Sequence, residues 1–157
     1  MTRETKPEIR ISGGALEYRS AAGELIWTVQ VDDIVLMAEY TTNGGPWLDD
    51  YFLVFVSIES ERPIFATASF YGEGCDAVIE GLAGRWNADV SLSLASSTDW
   101  KSRIVWPPSL AEQEYFEARE VQPDTLWEKL RKAAFGPVYE YAPQREVRAF
   151  LSSRLGK

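Results

Sequence analysis

Residues 51–71 read YFLVFVSIESERPIFATASFY, and this stretch decides the fold. Apolar side chains occupy nearly every position from 51 to 58, which is typical of a strand that is covered on both faces. The segment Glu59–Pro63 turns the chain, because it is polar and ends in proline. From Ile64 onward, apolar residues recur at every second position, which predicts another strand. The stretch therefore predicts two neighbouring strands of a β-sheet.

The same alternation predicts further strands on both sides of this stretch, at residues 9–11, 16–18, 27–31, 34–40, 90–95 and 100–106. The period changes at Cys75, because the apolar residues from there to Trp86 recur with helical spacing. The last third predicts helices over Ser109–Arg119, from Pro123 to about residue 135, and after Pro143. The first of these begins with a capping-box pattern, since Glu112 follows Ser109 by three residues.

These elements predict an α+β fold. A curved antiparallel sheet, or a partly open β-barrel, packs against the internal helix 75–86, and C-terminal helices follow. We expect residues 1–135 to form a single α+β domain. Residues 136–157 are then a linker and a C-terminal basic amphipathic helix, packed on the domain or on a partner.

Charge is unevenly distributed along the chain, whose net charge is −8. Residues 129–157 carry seven basic and two acidic side chains, a net of +5, so residues 1–128 carry −13. An acidic surface repels nucleic acid, and we expect no nucleic-acid partner. No apolar run approaches the ~20 residues that a membrane span requires. Because residues 1–11 lack the apolar core of a signal peptide, we expect a cytoplasmic protein.

Composition removes several kinds of chemistry. The chain has no histidine, which excludes imidazole-based catalysis and histidine-ligated zinc. Its one cysteine, Cys75, excludes an intrachain disulfide. At the start of a helix this residue is either a stabilised thiolate or a buried, inert thiol, and its place on the apolar stripe favours the second. We predict no catalytic residue, no metal site and no cofactor.

The loop 41–50 is the best candidate for a binding site. It places Trp47, which follows two glycines and a proline, beside the carboxylates of Asp49 and Asp50. An aromatic ring near anionic groups can hold a cationic group or a basic peptide. The alternative is a hairpin loop whose tryptophan folds back onto the core. A second acidic pair, Asp32-Asp33, is typical of a turn.

A family resemblance begins at Gly14-Ala15-Leu16-Glu17-Tyr18 and continues through a turn to Trp27-Thr28-Val29-Gln30-Val31-Asp32-Asp33-Ile34. The strands 51–58 and 64–71 and the helix 75–86 follow. Over residues 15–86 the chain resembles a pleckstrin-homology-like domain of the bacterial or GRAM kind.

Two features differ from that family. In the family the helix closes the domain, whereas here two strands are predicted after it. Members that bind phosphoinositides carry a basic cluster in an early hairpin loop, whereas here only Arg19 is basic next to the turn at residues 20–23. The resemblance therefore implies protein or peptide binding and argues against phosphoinositide binding.

The leading hypothesis is a non-catalytic binding or assembly module that recognises a protein partner or a second copy of itself. One alternative is a small-molecule carrier, or a carboxylate-based enzyme, that uses the concave face of the sheet. Another is an acidic immunity or accessory protein that caps a basic effector.

Overall fold

The apolar stretch at residues 51–71 forms the central hairpin of a four-stranded antiparallel sheet. The structure, a computed structural model, describes residues 5–42, 49–95, 97, 100–120, 124–135 and 139–155. Its strands are β1 (Glu8–Ser12), β2 (Ala15–Arg19), β3 (Leu25–Gln30), β4 (Ile34–Thr41), β5 (Tyr51–Glu59), β6 (Arg62–Ser69), β7 (Lys101–Trp106), β8 (Phe116–Glu120) and β9 (Tyr139–Pro143). Its helices are α1 (Cys75–Trp86), α2 (Leu126–Phe135) and α3 (Arg145–Leu155).

The strands form three antiparallel sheets, in the orders β1-β2-β3, β6-β5-β4-β7 and β8-β9. The β5–β6 hairpin pairs in unbroken register from Phe52 opposite Ser69 to Glu59 opposite Arg62. The α+β class and the antiparallel sheet with an internal helix are confirmed. The predicted helix 75–86 is present with those bounds.

The four-stranded sheet is covered on both faces, as the continuous apolar run in β5 predicts. On one face, Leu53 and Phe55 pack in a cluster with Leu16 of β2 and with Val78 and Leu82 of α1. The opposite face has its own cluster, formed by Leu36, Ala38, Val54, Val56, Ile104, Tyr115, Val147 and Leu151. Each large apolar side chain buried in this way stabilises the fold by about 1.5–3 kcal/mol.

Helix α3 lies on this second face. Its two buried residues, Val147 and Leu151, are four positions apart and therefore share one side of the helix. Residues 139–143, expected as a linker, contain strand β9. The domain boundary at 135/136 stays a prediction.

Strands β8 and β9 carry helix α2 between them, and we call residues 116–143 the arm. Phe116 pairs with Pro143 at the base of the arm, and Glu120 pairs with Tyr139 at its far end. The base is tied to α3, because Arg148 Nη2 donates to Glu117 Oε1 at 3.1 Å. Every described side chain of α2 is exposed.

The predicted strand at 90–95 is wrong, because residues 88–94 have no regular secondary structure. The backbone of this segment bonds to side chains instead of to a neighbouring strand. The amide N–H of Ser93 donates to Glu39 Oε1 at 2.9 Å, and the carbonyl of Ser91 accepts from Arg103. A pattern of alternating apolar residues does not distinguish these two ways of satisfying the backbone.

The predicted helix over Ser109–Arg119 is also wrong, because turns lead there into strand β8. Glu112 does not cap a helix. Its backbone is left-handed, with φ 71°, its amide N–H donates to the Ile104 carbonyl, and its carboxylate binds Arg103. A left-handed residue interrupts a right-handed helix, so the capping-box pattern is coincidental here.

The Asp32-Asp33 pair lies in a 3₁₀ turn (Val31–Asp33), as the turn interpretation predicts. Asp32 holds α1 against this turn, since its Oδ1 accepts from Arg85 Nε and Nη2 at 3.0 and 2.8 Å.

Candidate functional site

A buried ion pair lies on the face of the four-stranded sheet that packs against α1. Glu39 of β4 lies directly opposite Arg103 of β7 in the strand register. Tyr51 of β5 lies diagonally across from Glu39, whose direct partner on β5 is Leu53. Opposed and diagonal residues of an antiparallel sheet share a face, so the three side chains meet there. Arg103 Nε donates to Glu39 Oε1 at 2.8 Å, and the Tyr51 hydroxyl donates to Glu39 Oε2.

The segment 91–94 covers this ion pair. The amide N–H groups of Ser93 and Leu94 donate to the two carboxylate oxygens of Glu39, at 2.9 and 3.4 Å. Arg103 Nη2 donates to the Ser91 carbonyl. Glu39 is 0% exposed, and both of its oxygens accept hydrogen bonds from the protein. These hydrogen bonds satisfy the buried carboxyl group and fix segment 91–94 onto the sheet.

The ionisation of the network follows from its burial and its partners. Burial raises the pKa of the Tyr51 hydroxyl, and the hydrogen bond to Glu39 raises it further, so this tyrosine stays protonated and donates. Burial works against the charge of Arg103, but the hydrogen bond and Coulomb attraction from Glu39, together with Glu112, raise the pKa of the guanidinium. Arg103 therefore stays cationic.

An open cleft of about 500 Å³ lies beside this network, over the edge strand β7. Arg103 connects the two, because its Nη1 donates to Glu112 Oε1 at the cleft. The lining combines apolar and charged side chains: Leu94, Trp100, Lys101, Ser102, Arg103, Glu112, Glu114, Phe116 and Glu117. Ligand-binding clefts have volumes of about 300–1,000 Å³, so this one is large enough to take groups from a ligand or partner.

The backbone of β7 faces the cleft at Ser102. The N–H of Ile104 donates to the Gln113 carbonyl at 2.8 Å, so the backbone groups of Ile104 point away from β4. Backbone groups two positions apart on a strand point the same way, so those of Ser102 also point away from β4. Its side chain holds the start of the arm, because Ser102 Oγ accepts from the amide N–H groups of Tyr115 and Phe116 at 3.0 and 2.9 Å.

Of the predicted site residues, Asp49 and Asp50 lie at the same end of the sheet as this cleft, next to the start of β5. Thr41, the last residue of β4, pairs with both Tyr51 and Lys101, so the start of β5 and the start of β7 flank the end of β4. Trp47 lies outside the described residues. Asp49 is exposed and Asp50 is half-buried, and neither lines the cleft.

The structure connects Asp50 to the segment that follows strand β6. The Tyr71 hydroxyl donates to Asp50 Oδ1, and the Thr42 N–H donates to the Asp50 carbonyl at 2.8 Å. The hydrogen bond from the Tyr71 hydroxyl to Asp50, together with partial burial and the charges of Asp50 and Asp49, raises the pKa of Tyr71 to about 12. A binding role for Trp47, Asp49 and Asp50 stays a prediction.

Sequence reasoning missed the residues that build the cleft and its floor. Glu39 and Arg103 each stand as a charged residue within an apolar strand run, IVLMAEYT and KSRIVW. A single charge among buried positions requires a partner of opposite sign. This requirement was the feature of the sequence that indicates Glu39 and Arg103. No comparable feature indicates Trp100, Glu114 and Phe116, because the sequence predicts a helix where the structure has the turn that brings them together.

Cys75 is buried, as its place on the apolar stripe predicts. Burial raises the pKa of its thiol to about 11, with a smaller contribution from Asp76. The thiol is therefore protonated at neutral pH, and Sγ lies 3.7 Å from the Ser69 carbonyl oxygen as a donor.

Comparisons with known proteins gave no match to a family model, a curated protein or a solved structure. Among the described residues, no helix is both long and apolar enough to cross a membrane. Within the same residues, no three acidic or cysteine side chains converge as ligands for a metal ion.

Proposed function

We propose that this chain is a non-catalytic binding module, and that its cleft takes apolar and basic side chains of a protein partner. The observation that carries the proposal is the cleft itself, where the apolar side chains Leu94, Trp100 and Phe116 lie among carboxylates on the edge of β7. Protein partners are commonly held by such an arrangement, in which aromatic groups supply the contact area and a polar rim supplies specificity.

The charges of the cleft favour a basic partner. The Arg103 guanidinium is already neutralised by Glu39 and Glu112. Glu114 keeps an exposed carboxylate whose described hydrogen bond is to a neutral donor, Gln144 Nε2, at 3.1 Å. No ion pair joins this carboxylate to a described cation, although Lys101 also lines the cleft, so a lysine or arginine of a partner would pair with it. The net charge of −13 over residues 1–128 also attracts a basic partner from a distance.

The floor of the cleft is fixed before a partner binds. Arg103 is held by Glu39, and Ser102 holds the start of the arm. A fixed floor lowers the entropy that binding would otherwise cost. Glu39 itself is covered by segment 91–94 and has no path to a substrate, which favours binding over carboxylate catalysis.

A phage-displayed library of random dodecapeptides tests this function. We expect the full chain to enrich peptides that combine Lys or Arg with aromatic or aliphatic residues. Fluorescence anisotropy of an enriched peptide should show a loss of about tenfold in affinity for Trp100→Ala, because central aromatic contacts dominate such interfaces. Glu114→Gln should weaken the binding of basic peptides and leave the circular dichroism spectrum unchanged.

Glu80→Gln is the matched control, because Glu80 is exposed on α1 and does not line the cleft. Its affinity should equal that of the wild type. The function is wrong if no peptide is enriched by the chain kept at a concentration where it is monomeric, or if Trp100→Ala and Glu114→Gln bind as tightly as Glu80→Gln.

A small apolar ligand is the second candidate, favoured by the volume of the cleft. It predicts a different result from the peptide screen. A small molecule would copurify and appear in native mass spectra of the wild type, and it would be absent from Trp100→Ala.

A further inference from the structure

Helix α2 presents an apolar face that nothing in the described chain covers. Leu126 and Trp127 are each 75% exposed, and Leu130 is 56% exposed. Helical spacing places these residues on one side, because positions 126 and 130 are one turn apart and 127 borders them. Large apolar side chains that are exposed together in a soluble protein mark an interaction site.

The helix does not depend on that face for its formation. Thr125 and Glu128 form a capping box, in which Glu128 N–H donates to Thr125 Oγ1 and Thr125 N–H donates to Glu128 Oε2, both at 3.2 Å. The Asp124 N–H also donates to Glu128 Oε2, at 2.8 Å. Local hydrogen bonds thus start the helix, and its apolar residues remain available for contact.

No described residue of α2 lines the cleft of its own chain. Phe116, at the base of β8, lines the cleft, whereas α2 follows the far end of β8 at Glu120. Four steps along a strand span about 13 Å, and the pairing of β8 with β9 stiffens this connection.

The chemistry of α2 complements that of the cleft. The helix combines its apolar residues with three basic ones, at positions 129, 131 and 132. The cleft combines Trp100 and Phe116 with the carboxylate of Glu114, whereas the carboxylates of Glu112 and Glu117 are paired with Arg103 and Arg148. Apolar groups would meet apolar groups, and ammonium or guanidinium groups would meet carboxylates.

We propose that the cleft is occupied by α2 of a second copy of this chain, so that two copies exchange arms. The proposal rests on the proposed function, and it names the partner of the same site. In a two-fold arrangement each copy gives its helix and receives the other, so the contact area is counted twice. This doubling brings the total area buried by a short helix closer to the roughly 1,200–2,000 Å² that stable interfaces bury.

Sedimentation velocity of the full chain at low ionic strength tests the exchange. We expect twice the chain mass at concentrations up to roughly 100 μM, a range that covers weak homodimers. Trp127→Ala, Lys129→Glu and Glu114→Lys should each raise the dissociation constant by at least about tenfold, because each removes a contact or reverses a charge at both exchanged interfaces. Glu80→Lys, a charge reversal on the exposed side of α1, should leave it unchanged.

An equimolar mixture of Lys129→Glu and Glu114→Lys sharpens this test. One of the two exchanged contacts in the mixed pair is wild type, and the other joins the two reversed charges. The mixture should therefore regain a dimer that neither variant forms alone.

A wild-type chain that stays monomeric overturns the exchange, and so does a dimer that all three variants retain. Neither result decides the proposed function, because Trp100→Ala and Glu114→Gln are judged there by a peptide that is not part of this chain. If that peptide binds the cleft while the wild type is a monomer, only the exchange is wrong. If no peptide is enriched either, both proposals are wrong.

Discussion

The inner face of the four-stranded sheet and the arm depart from the usual distribution of residues in opposite ways. The sheet buries a carboxylate and a guanidinium, Glu39 and Arg103. The arm exposes Leu126, Trp127 and Leu130. The buried charges have all their partners within the chain, whereas the exposed apolar side chains have none among the described residues. The first departure is therefore resolved by folding, and the second is the basis for the proposed association.

This difference separates stability from binding. Residues that satisfy each other inside one chain should affect the free energy of unfolding when they are replaced. Residues whose partner lies elsewhere should affect association and leave the free energy of unfolding nearly unchanged. The predictions below use this distinction, beginning with the largest expected change.

Glu39→Ala should give the largest loss of stability. It leaves the Arg103 guanidinium buried without its main partner, and it removes the acceptor of the Ser93 and Leu94 amides. Removing one partner of a buried ion pair costs about 3–5 kcal/mol of unfolding free energy. This loss of unfolding free energy is measured by urea denaturation, with tryptophan fluorescence as the signal.

Two controls belong with this measurement. Glu80→Gln, on the exposed side of α1, should change stability by no more than about 0.5 kcal/mol. The double replacement Glu39→Leu with Arg103→Met should cost less than Glu39→Ala, because no unpaired charge remains. The losses of unfolding free energy for Glu39→Leu alone and Arg103→Met alone are also added together. If the double replacement costs as much as this sum, the ion pair is not the source of the loss.

Leucine-to-alanine replacements on two helices compare the regions directly. Leu82 of α1 is 0% exposed, so Leu82→Ala should cost about 2–5 kcal/mol. Leu130→Ala on α2 should cost no more than about 0.5 kcal/mol, because that side chain is largely in water. Both are measured by urea denaturation at a concentration where light scattering shows a monomer. Equal losses would contradict the separation of the two regions.

The strands of the first two sheets and α1 could be predicted from the sequence because their signal is periodic and local, whereas β8 and β9 were expected as a helix and a linker. The apolar run at 51–58 and the helical spacing from Cys75 to Trp86 both depend on neighbours in the chain. Both correspond to elements that the structure contains, β5 and α1. Alternation at 90–95 failed because the partners of that backbone are the side chains of Glu39, 54 positions away, and Arg103, 12 positions away, rather than a neighbouring strand.

The candidate site depends still more on distant pairs. The Ser109–Glu112 spacing is correct for a capping box, but the Glu112 carboxylate binds Arg103 and its N–H binds Ile104. Pairwise contacts of this kind decide the turn at 107–115 and the cleft beside it. The loop 41–50, in contrast, was chosen by composition alone, and composition does not show that Asp50 is held by Tyr71.

Thr125→Ala should have an intermediate effect that is confined to the arm. It removes the acceptor for the Glu128 N–H at the start of α2. Loss of such a cap costs about 0.5–2 kcal/mol of helix stability. Native-state hydrogen exchange should show faster exchange of α2 amides, while the amides of β5 exchange as in the wild type. Faster exchange in both would mean that the arm and the sheet unfold together.

The smallest expected effect concerns the surface hydrogen bond between Tyr71 and Asp50. It is the exposed counterpart of the buried hydrogen bond between Tyr51 and Glu39. The pKa of Tyr71 is raised to about 12, above the ordinary value of about 10 that it has in the unfolded chain. A raised folded-state pKa stabilises the fold fully below the unfolded value, and this contribution is lost as the pH rises from about 10 through 12. Because Tyr71 is 47% exposed, solvent screening keeps the contribution small. The stability difference between the wild type and Tyr71→Phe, measured in urea at pH 9 and pH 11, should therefore shrink at the higher pH. Asp50→Asn should remove the same pH dependence, and a difference that stays constant would mean that this hydrogen bond is absent in solution.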